Sequence, residues 1–526
     1  MEHTVGFSPV PCIIDTDPGV DDVIALLLAL ASPELLVLAI TLTHGNTPLD
    51  ATLTNTRKMF WMLEKHLEEN PEEIARWPGL DMDLRSSLGA GKILILMGSD
   101  GPAEGDAVFA KYFHGTDGLS NVDVRHPELT PPEMEDNDFY YVSDRALTVA
   151  LPELMLDYPP STIAYLALGP LTSLARLHAL SEDHSFLHHF ALILAMGGAV
   201  DVPGNTTPVA EFNTYADPWA AQTIISLSLP HFYLVPLDIT TPHTLPFDLY
   251  TSLVDPHFFD TSAPSQANGK SPLVHFTSSF LEGTRETIRR FSTADVMEMH
   301  DPAVVWALID WSRDGQSLDI RTINSRSSAM RRRIEEGGFT QSILERRRSS
   351  DLRLRARLEK ERERLSSVTE VPAGVQAGES GYEDYEADEQ SQFSGEGIEE
   401  GEEEYGWADD ERLAPGWEWN RREFEVETTG TLTRGMLVVD RRASSIVPAN
   451  SSSRPRPTNR AIAIEEAEAQ AAALEHLTLD GTGTDAESEG EAQQPRGTKV
   501  VIATPGGDTL RTLLLERIWG VSIGLP

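Results

Sequence analysis

The run CIIDTDPGVDDVIALLLAL, residues 12–30, decides the fold. A strand-length stretch, Cys12 to Asp15, stops at a Thr-Asp-Pro-Gly turn, and a helix-length apolar stretch starts near Val20. A strand that breaks at Pro-Gly and feeds a helix is the opening unit of an α/β fold. The same run places Asp15, Asp17, Asp21 and Asp22 within eight residues. Acids in the first turn of a helix complement its dipole and cap its free N–H groups, which accounts for one or two of the four. Four carboxylates this close repel one another unless protons or a cation intervene. An all-oxygen donor set, without Cys or paired His, suits a hard divalent ion, calcium or magnesium, better than zinc.

Outward from this unit, the runs LVLAITL (36–42), KILILM (92–97), TIAYLAL (162–168), FALILAM (190–196) and HFYLVPL (231–237) share its length and nearly continuous apolar character. Such strands are expected where helices cover both faces of a parallel sheet. They end in THGN (43–46), GSDGP (98–102), GPLTS (169–173), GGAVDVPGN (197–205) and DIT (238–240). The expectation is an α/β domain with an open, mostly parallel sheet flanked by helices. In such sheets the ligand crevice lies at the carboxyl ends of the strands, where these polar endings gather.

The chain has 526 residues and a formal net charge of −41, which argues against nucleic acid as a partner, since phosphate neutralisation needs a basic face. Sixteen acids and no Lys or Arg fall between Glu370 and Glu411. The single cysteine, Cys12, excludes an intrachain disulfide framework and fits a reducing, cytoplasmic setting. MEHTVGFSPVPC lacks the charged start and long apolar core of a secretory signal, and no run approaches the ~18 apolar residues of a membrane span. After residue 313 the character changes. LERRRSSDLRLRARLEKERERL (344–365) reads as a charged helix or a solvated tract, and 370–411 as disordered, because its charges cannot be buried and its few apolar residues cannot offset the entropy of ordering. REFEVETTGTLTRGMLVVDRR (422–442) alternates like strands around a TTGT turn, and TKVVIATPGGDTLRTLLLERIWG (498–520) reads as strand, turn and helix. Pieces this small cannot stand as domains. One discontinuous α/β domain over 1–315, 416–443 and 497–526 is expected, interrupted by a charged and acidic insertion at 316–415 and a low-complexity linker at 444–496.

Three further motifs join DTDPGVDD (15–22) and THGN: GPLTSLA (169–175), MGGAVDVPGNTTPVAEFNTYADP (196–218) and MHDPAVVWAL (299–308). In this order the set resembles the inosine-uridine preferring nucleoside hydrolase family, over about residues 11–313 and on through TGTLTRGMLVVDRR (429–442) and the final helix. The members it is most similar to in general character are fungal proteins with long low-complexity insertions. The resemblance implies a ribonucleoside hydrolase of purine and pyrimidine nucleoside catabolism, a homo-oligomer, that holds a calcium ion by Asp17, Asp22, Asp301 and the backbone carbonyl of Leu168. It implies that Asp21, Asn205, Glu211 and Asn213 hold the ribose hydroxyls, with Asn46 near the metal-bound water and Met196 packed at the sugar. His300 would lie near the leaving base, and His114 of FHGTDGLSN (113–121) would belong to a mobile loop over the site.

That assignment suits the chemistry. Hydrolysis of an N-ribosyl bond needs a water on one face of C1′, stabilisation of an oxocarbenium-like sugar and help for the departing base. A calcium ion lowers the pKa of its water, Asp17 can accept the proton, and His300 can donate one. Plainer accounts stand beside it. Asp301 before Pro302 and Asp217 before Pro218 both look like helix caps, and Asn205 and Asn213 like turn residues. The base-recognition region is sought in PLVHFTSSFLEGTRETIRRF (272–291), which offers His275, Phe276, Phe280 and Arg285. Two other function classes remain open at this point: a catalytically inactive nucleoside-binding or interaction protein on the same fold, and a magnesium phosphatase of the haloacid dehalogenase type, whose Asp-rich loop also follows a first strand.

Overall fold

Nine strands form the central sheet of the computed structural model, which describes residues 9–131, 137–180, 185–314, 413–439 and 497–522. In chain order the strands are β1 (Val10–Thr16), β2 (Leu35–Leu42), β3 (Ile93–Met97), β4 (Tyr140–Ser143), β5 (Ile163–Ala167), β6 (Phe190–Met196), β7 (Phe232–Val235), β8 (Thr244–Pro246), β9 (Val296–Glu298), β10 (Glu418–Arg422), β11 (Phe424–Val426), β12 (Leu437–Val439) and β13 (Thr498–Ala503). The main sheet runs β10-β13-β7-β6-β5-β1-β2-β3-β4, with every neighbouring pair parallel except β10 against β13. The six apolar runs read from the sequence are β1, β2, β3, β5, β6 and β7. The mostly parallel sheet flanked by helices is therefore as expected.

Both sheet faces are covered. Along β1, Cys12 and Ile14 enter one core and Ile13 the other. The first core takes in the helices Val20–Leu30, Pro272–Phe291, His300–Arg313 and Gly507–Trp519; the second takes in Leu147–Met155, Thr172–His178 and Pro218–Ser226. Every residue of the Val20–Leu30 helix is buried, which is why its sequence carries no polar stripe beyond its first turn. Burial pushes the Cys12 thiol up to about 12, against the opposing pull of Arg85, so it is chemically inert.

The late segments join this frame. β10 and β13 complete one sheet edge, and β11 pairs antiparallel with β12 across the loop that contains TTGT. Trp417 packs edge-on against Trp306 with ring centroids 4.7 Å apart, and Trp519 does the same against Tyr250 at 5.3 Å. The tracts 344–365, 370–411 and 444–496 lie outside the described residues. Among the described residues no helix is long and apolar enough to cross a membrane.

β1 lies between β2 and β5; the chain builds outward from it through β2, β3 and β4 on one side, then returns to build β5, β6 and β7 on the other. This is the switch point of the sheet, where a crevice opens at the carboxyl ends of the strands. The loops after β1, β2, β5 and β6 all reach that end.

Candidate active site

The turn after β1 organises the acids. Asp22 accepts four donors: the Thr16 hydroxyl, the Asp17 N–H at 3.2 Å, the Gly19 N–H at 3.0 Å and the Asn46 side-chain amide at 2.9 Å. It therefore does cap its helix, as the plain reading of a first-turn Asp holds. Asp15 departs from the group. It sits wholly buried on β1 and accepts from the Thr41 hydroxyl of β2; burial pushes its carboxyl up to about 7 against that bond. Its place is taken by Asp301, from the helix His300–Arg313. Asp21, Asp22 and Asp301 each bring a carboxylate oxygen within 4.8 Å of the others. Asp301 is the second residue of its helix, makes no capping bond, and is not the N-cap. Asp217 is the plain cap, accepting from the Ala220 N–H at 3.0 Å and the Thr172 hydroxyl at 2.6 Å.

The acid group so formed contains Asp21 where the resemblance implies Asp17; Asp17 stands beside it, close enough to raise Asp301 by its charge. Asp17 Oδ2 accepts the Asn46 N–H at 2.7 Å, while its buried Oδ1 has no hydrogen-bond partner. Glycines make room for it: a Cβ on Gly45 would fall 2.0 Å from Oδ2, and one on Gly169 2.6 Å from Oδ1. Burial and the charge of Asp22 hold the Asp17 carboxyl well above the usual range; burial and the charges of Asp21, Asp22 and Asp17 do the same for Asp301. Burial, then Asp22, pushes Asp21 up to about 7. A cluster of acids that resist ionisation, one with an orphaned oxygen, fits a divalent cation bound through oxygen.

The cavity beside this cluster is lined by Asp21, Asn46, His114, Leu168, Met196, Asn205, Glu211, Asn213, His300 and Asp301, with Tyr112, Phe113 and Glu298 among further residues. Of the metal, ribose and leaving-base residues that the resemblance assigns, all but Asp17 and Asp22 line it. The Leu168 carbonyl, just past β5, accepts the Asn213 amide at 2.7 Å, and the same amide reaches the Met196 carbonyl at 3.3 Å. Glu211 is buried and caps its own short helix, Phe212–Ala216. It accepts N–H groups of Gly198, Asn213 and Thr214 at 2.8, 2.7 and 3.0 Å, and burial raises its pKa against those bonds. Asn205 is partly the turn residue it resembles, since its Oδ1 accepts the Phe212 N–H at 2.9 Å.

The two histidines differ. His114 lies buried at the end of the short helix Lys111–His114, its Nδ1 accepting the Val20 N–H at 3.2 Å, so its ring proton belongs on Nε2. Burial pushes its pKa down to about 4, with Asp22 pulling the other way. It stands over Gly19, where a Cβ would meet its Nδ1 at 2.5 Å. Both nitrogens of His300 have partners: Nδ1 meets the Thr240 hydroxyl at 2.7 Å and Nε2 meets Glu298 at 3.1 Å. Burial disfavours the charged ring, but Glu298, Asp21 and Glu211 outweigh it and its pKa is raised.

The sequence-derived base-recognition candidates are corrected by the structure. His275 meets Glu128 at 3.2 Å, Arg285 pairs with Asp295, and Phe276 and Phe280 belong to the core. None lines the cavity. Ile288 and Phe291, at the other end of the same helix, line a neighbouring hollow with Tyr112, Phe113 and Glu298. Glu298 and Thr240 were not anticipated as site residues. The available signals were an acid two places before His300 and the Thr of the DIT ending.

The profile of the inosine-uridine preferring nucleoside hydrolases matches residues 12–472, and the chain belongs to that family. Similar sequences include an uncharacterized protein of Schizosaccharomyces pombe, 33% identical over 228 residues (43% of this chain, 61% of that one), and the pyrimidine-specific ribonucleoside hydrolase RihA of Salmonella arizonae, 32% identical over 250 residues (47% and 67%). A probable uridine nucleosidase 2 of Oryza sativa is 28% identical over 298 residues (56% and 73%). The chain thus spans about three fifths to two thirds of the first of these relatives. In fold it is similar to the plant nucleoside hydrolase PpNRh1, with TM-score 0.52 at 17% identity, covering 97% of this chain and 99% of that one.

Proposed function

We propose that this chain hydrolyses the N-glycosidic bond of ribonucleosides, giving ribose and free base, with calcium as its metal. The observation that carries this is the buried group of Asp17, Asp21, Asp22 and Asp301 beside a cavity walled by Asn46, Asn205, Glu211, Asn213 and His300. Asp17, Asp22, Asp301 and the Leu168 carbonyl would hold the ion, which when bound supplies an activated water and positive charge at the site. Asp17, whose Oδ1 has no protein partner, accepts the proton of the attacking water. Asp21, Asn205, Glu211 and Asn213 bind the ribose hydroxyls, and this remote binding orients C1′. Three backbone N–H groups lock the Glu211 carboxylate, so it enters the reaction already oriented. Attack from one face with the base leaving from the other inverts C1′.

The departing base carries developing negative charge unless it is protonated, and His300 is the donor beside the cavity. Its Glu298 contact is the one to exchange, since that carboxylate is half exposed while the Thr240 contact is enclosed. The names of the relatives, a pyrimidine-specific ribonucleoside hydrolase and a probable uridine nucleosidase, support a nucleoside substrate. The homo-oligomeric state implied by the resemblance and the cytoplasmic location inferred from the single cysteine belong to the same proposal. A phosphatase reading fits less well: no Lys lines the cavity, and the strand-borne Asp15 is turned away from it.

The test is a panel of inosine, uridine, cytidine and guanosine run beside a panel of phosphate esters. Ribose release from at least one nucleoside and no phosphate release is expected. Phosphate release would overturn the reading, and tight nucleoside binding without ribose release would favour the inactive binding protein.

A further inference from the structure

Away from the strand ends, a second group of metal-type donors comes together among the described residues: His126, Glu128 and His275, with one donor atom of each within 4.8 Å of the others. His126 and Glu128 flank Pro127 where the chain turns into the short helical turn Pro127–Leu129, and His275 is the fourth residue of the Pro272–Phe291 helix. Both histidines are buried, whereas the Glu128 side chain is 53% exposed. Neither cavity at the strand ends is lined by any of the three.

The distances are informative. Glu128 Oε1 lies 3.1 Å from His126 Nδ1 and 3.2 Å from His275 Nε2. Two ligands bound at about 2.0–2.1 Å in a tetrahedral shell are separated by about 3.3 Å, so these atoms already stand near the edges of such a shell. The far side of His126 is prepared as well. Its Nε2 meets Glu282 Oε1 at 2.7 Å, and Glu282 is buried and held by Arg125 at 2.9 Å. A carboxylate that accepts a hydrogen bond from Nε2–H fixes the tautomer and turns the Nδ1 lone pair toward Glu128 Oε1. Two lone pairs then face each other at 3.1 Å, an arrangement that calls for a cation or a second ring proton between them. His275 Nδ1 has no hydrogen-bond partner, so without a metal its ring proton belongs on Nε2, facing Glu128, and an ion bound there would displace it.

We propose that His126 Nδ1, His275 Nε2 and Glu128 Oε1 form a second metal site, for a borderline divalent ion of the zinc class, with Glu282 orienting His126. Two imidazoles and one carboxylate are the donors zinc takes, and calcium, which prefers oxygen, is disfavoured there. A water would complete the shell from the solvent side, where the Glu128 side chain is exposed. The ion would tie the segment that carries His114 to the Pro272–Phe291 helix, which the 2.7 Å bond between Ser120 and Thr284 also joins farther along that helix. The role is structural, and it does not depend on the proposed hydrolysis.

Zinc titration by calorimetry of the full chain, in excess calcium to fill oxygen-only sites, tests it. One tight equivalent is expected, weakened at least about tenfold in Glu128→Gln and in His275→Gln. Glu128 is exposed, so its variant folds and remains decisive if His275→Gln does not; circular dichroism checks both. X-ray absorption of the zinc-loaded protein should show two imidazoles in the shell. Zinc affinity unchanged by Glu128→Gln, or no tight equivalent in the parent, would overturn the site and leave His126 as a hydrogen-bonded ring between two glutamates.

Discussion

At Asp17 one carboxylate combines two features that a structural acid would not have: an oxygen buried without a partner, and glycines on both sides that leave it space. Asp17→Asn keeps the shape and removes the charge. Calcium binding measured by calorimetry should weaken by about two orders of magnitude or more, and turnover should nearly vanish while the protein stays folded. Activity within about tenfold of the parent would remove Asp17 from the mechanism. His300 allows a sharper contrast. General acid help is typically worth ~10²–10⁴ in rate, so His300→Ala should slow inosine hydrolysis by that range. It should barely affect a riboside whose leaving group is already a stable phenolate. Equal losses on both substrates would mean that His300 only shapes the pocket. The acids after β1 stood out in the sequence by their spacing, while Asp301 was picked out only through the motif order that carries the resemblance, and the structure brings it beside Asp21 and Asp22. The contacts of His300 with Glu298 and Thr240 were not legible there, because they depend on how β9 and the chain after β7 approach in space.

The element that sets the chemistry is the start of the Val20–Leu30 helix, and its energetics depend on pH. In the metal-free protein the folded pKa of Asp21 is about 7, and those of Asp17 and Asp301 lie well above the usual range, chiefly through burial. Acids unfold to a pKa of about 4, so between these values the folded state holds protons that the unfolded state releases. Their contribution is present at low pH and is lost as pH rises through the folded values. The melting temperature in chelator should therefore fall between about pH 5 and about pH 8, and saturating calcium should remove the fall. A chelated protein more stable at the higher pH would contradict the cluster's electrostatics. The strands were readable because buried parallel strands are apolar throughout. β4 escaped because it is a four-residue edge strand, Tyr-Tyr-Val-Ser, with Tyr141 facing solvent, and β10, Glu-Trp-Asn-Arg-Arg, lies at the opposite edge with no apolar run to mark it. The base-side helix misled for a related reason: its aromatics at 276 and 280 serve the core, while its carboxyl end turns to the hollow.

Across the whole molecule, the chain returns to its sheet after long intervals, and the return points carry weight. Trp417 is buried against Trp306 and donates to Asp310 at 3.0 Å. Trp417→Ala should cost roughly 3–5 kcal/mol in chemical denaturation. Deleting residues 366–412, whose composition is too acidic and too poor in apolar residues to add to a core, should by contrast leave melting and turnover nearly unchanged. A melting point lowered by many degrees would show that the tract is docked. The central claim, metal-dependent cleavage of a ribonucleoside, is met most directly by one assay: release of reducing sugar from inosine and uridine by the parent protein, after chelation, and after return of calcium. The expected result is ribose release that chelation abolishes and calcium restores. Ribose release that survives exhaustive chelation, or none from either nucleoside at any calcium concentration, would contradict it.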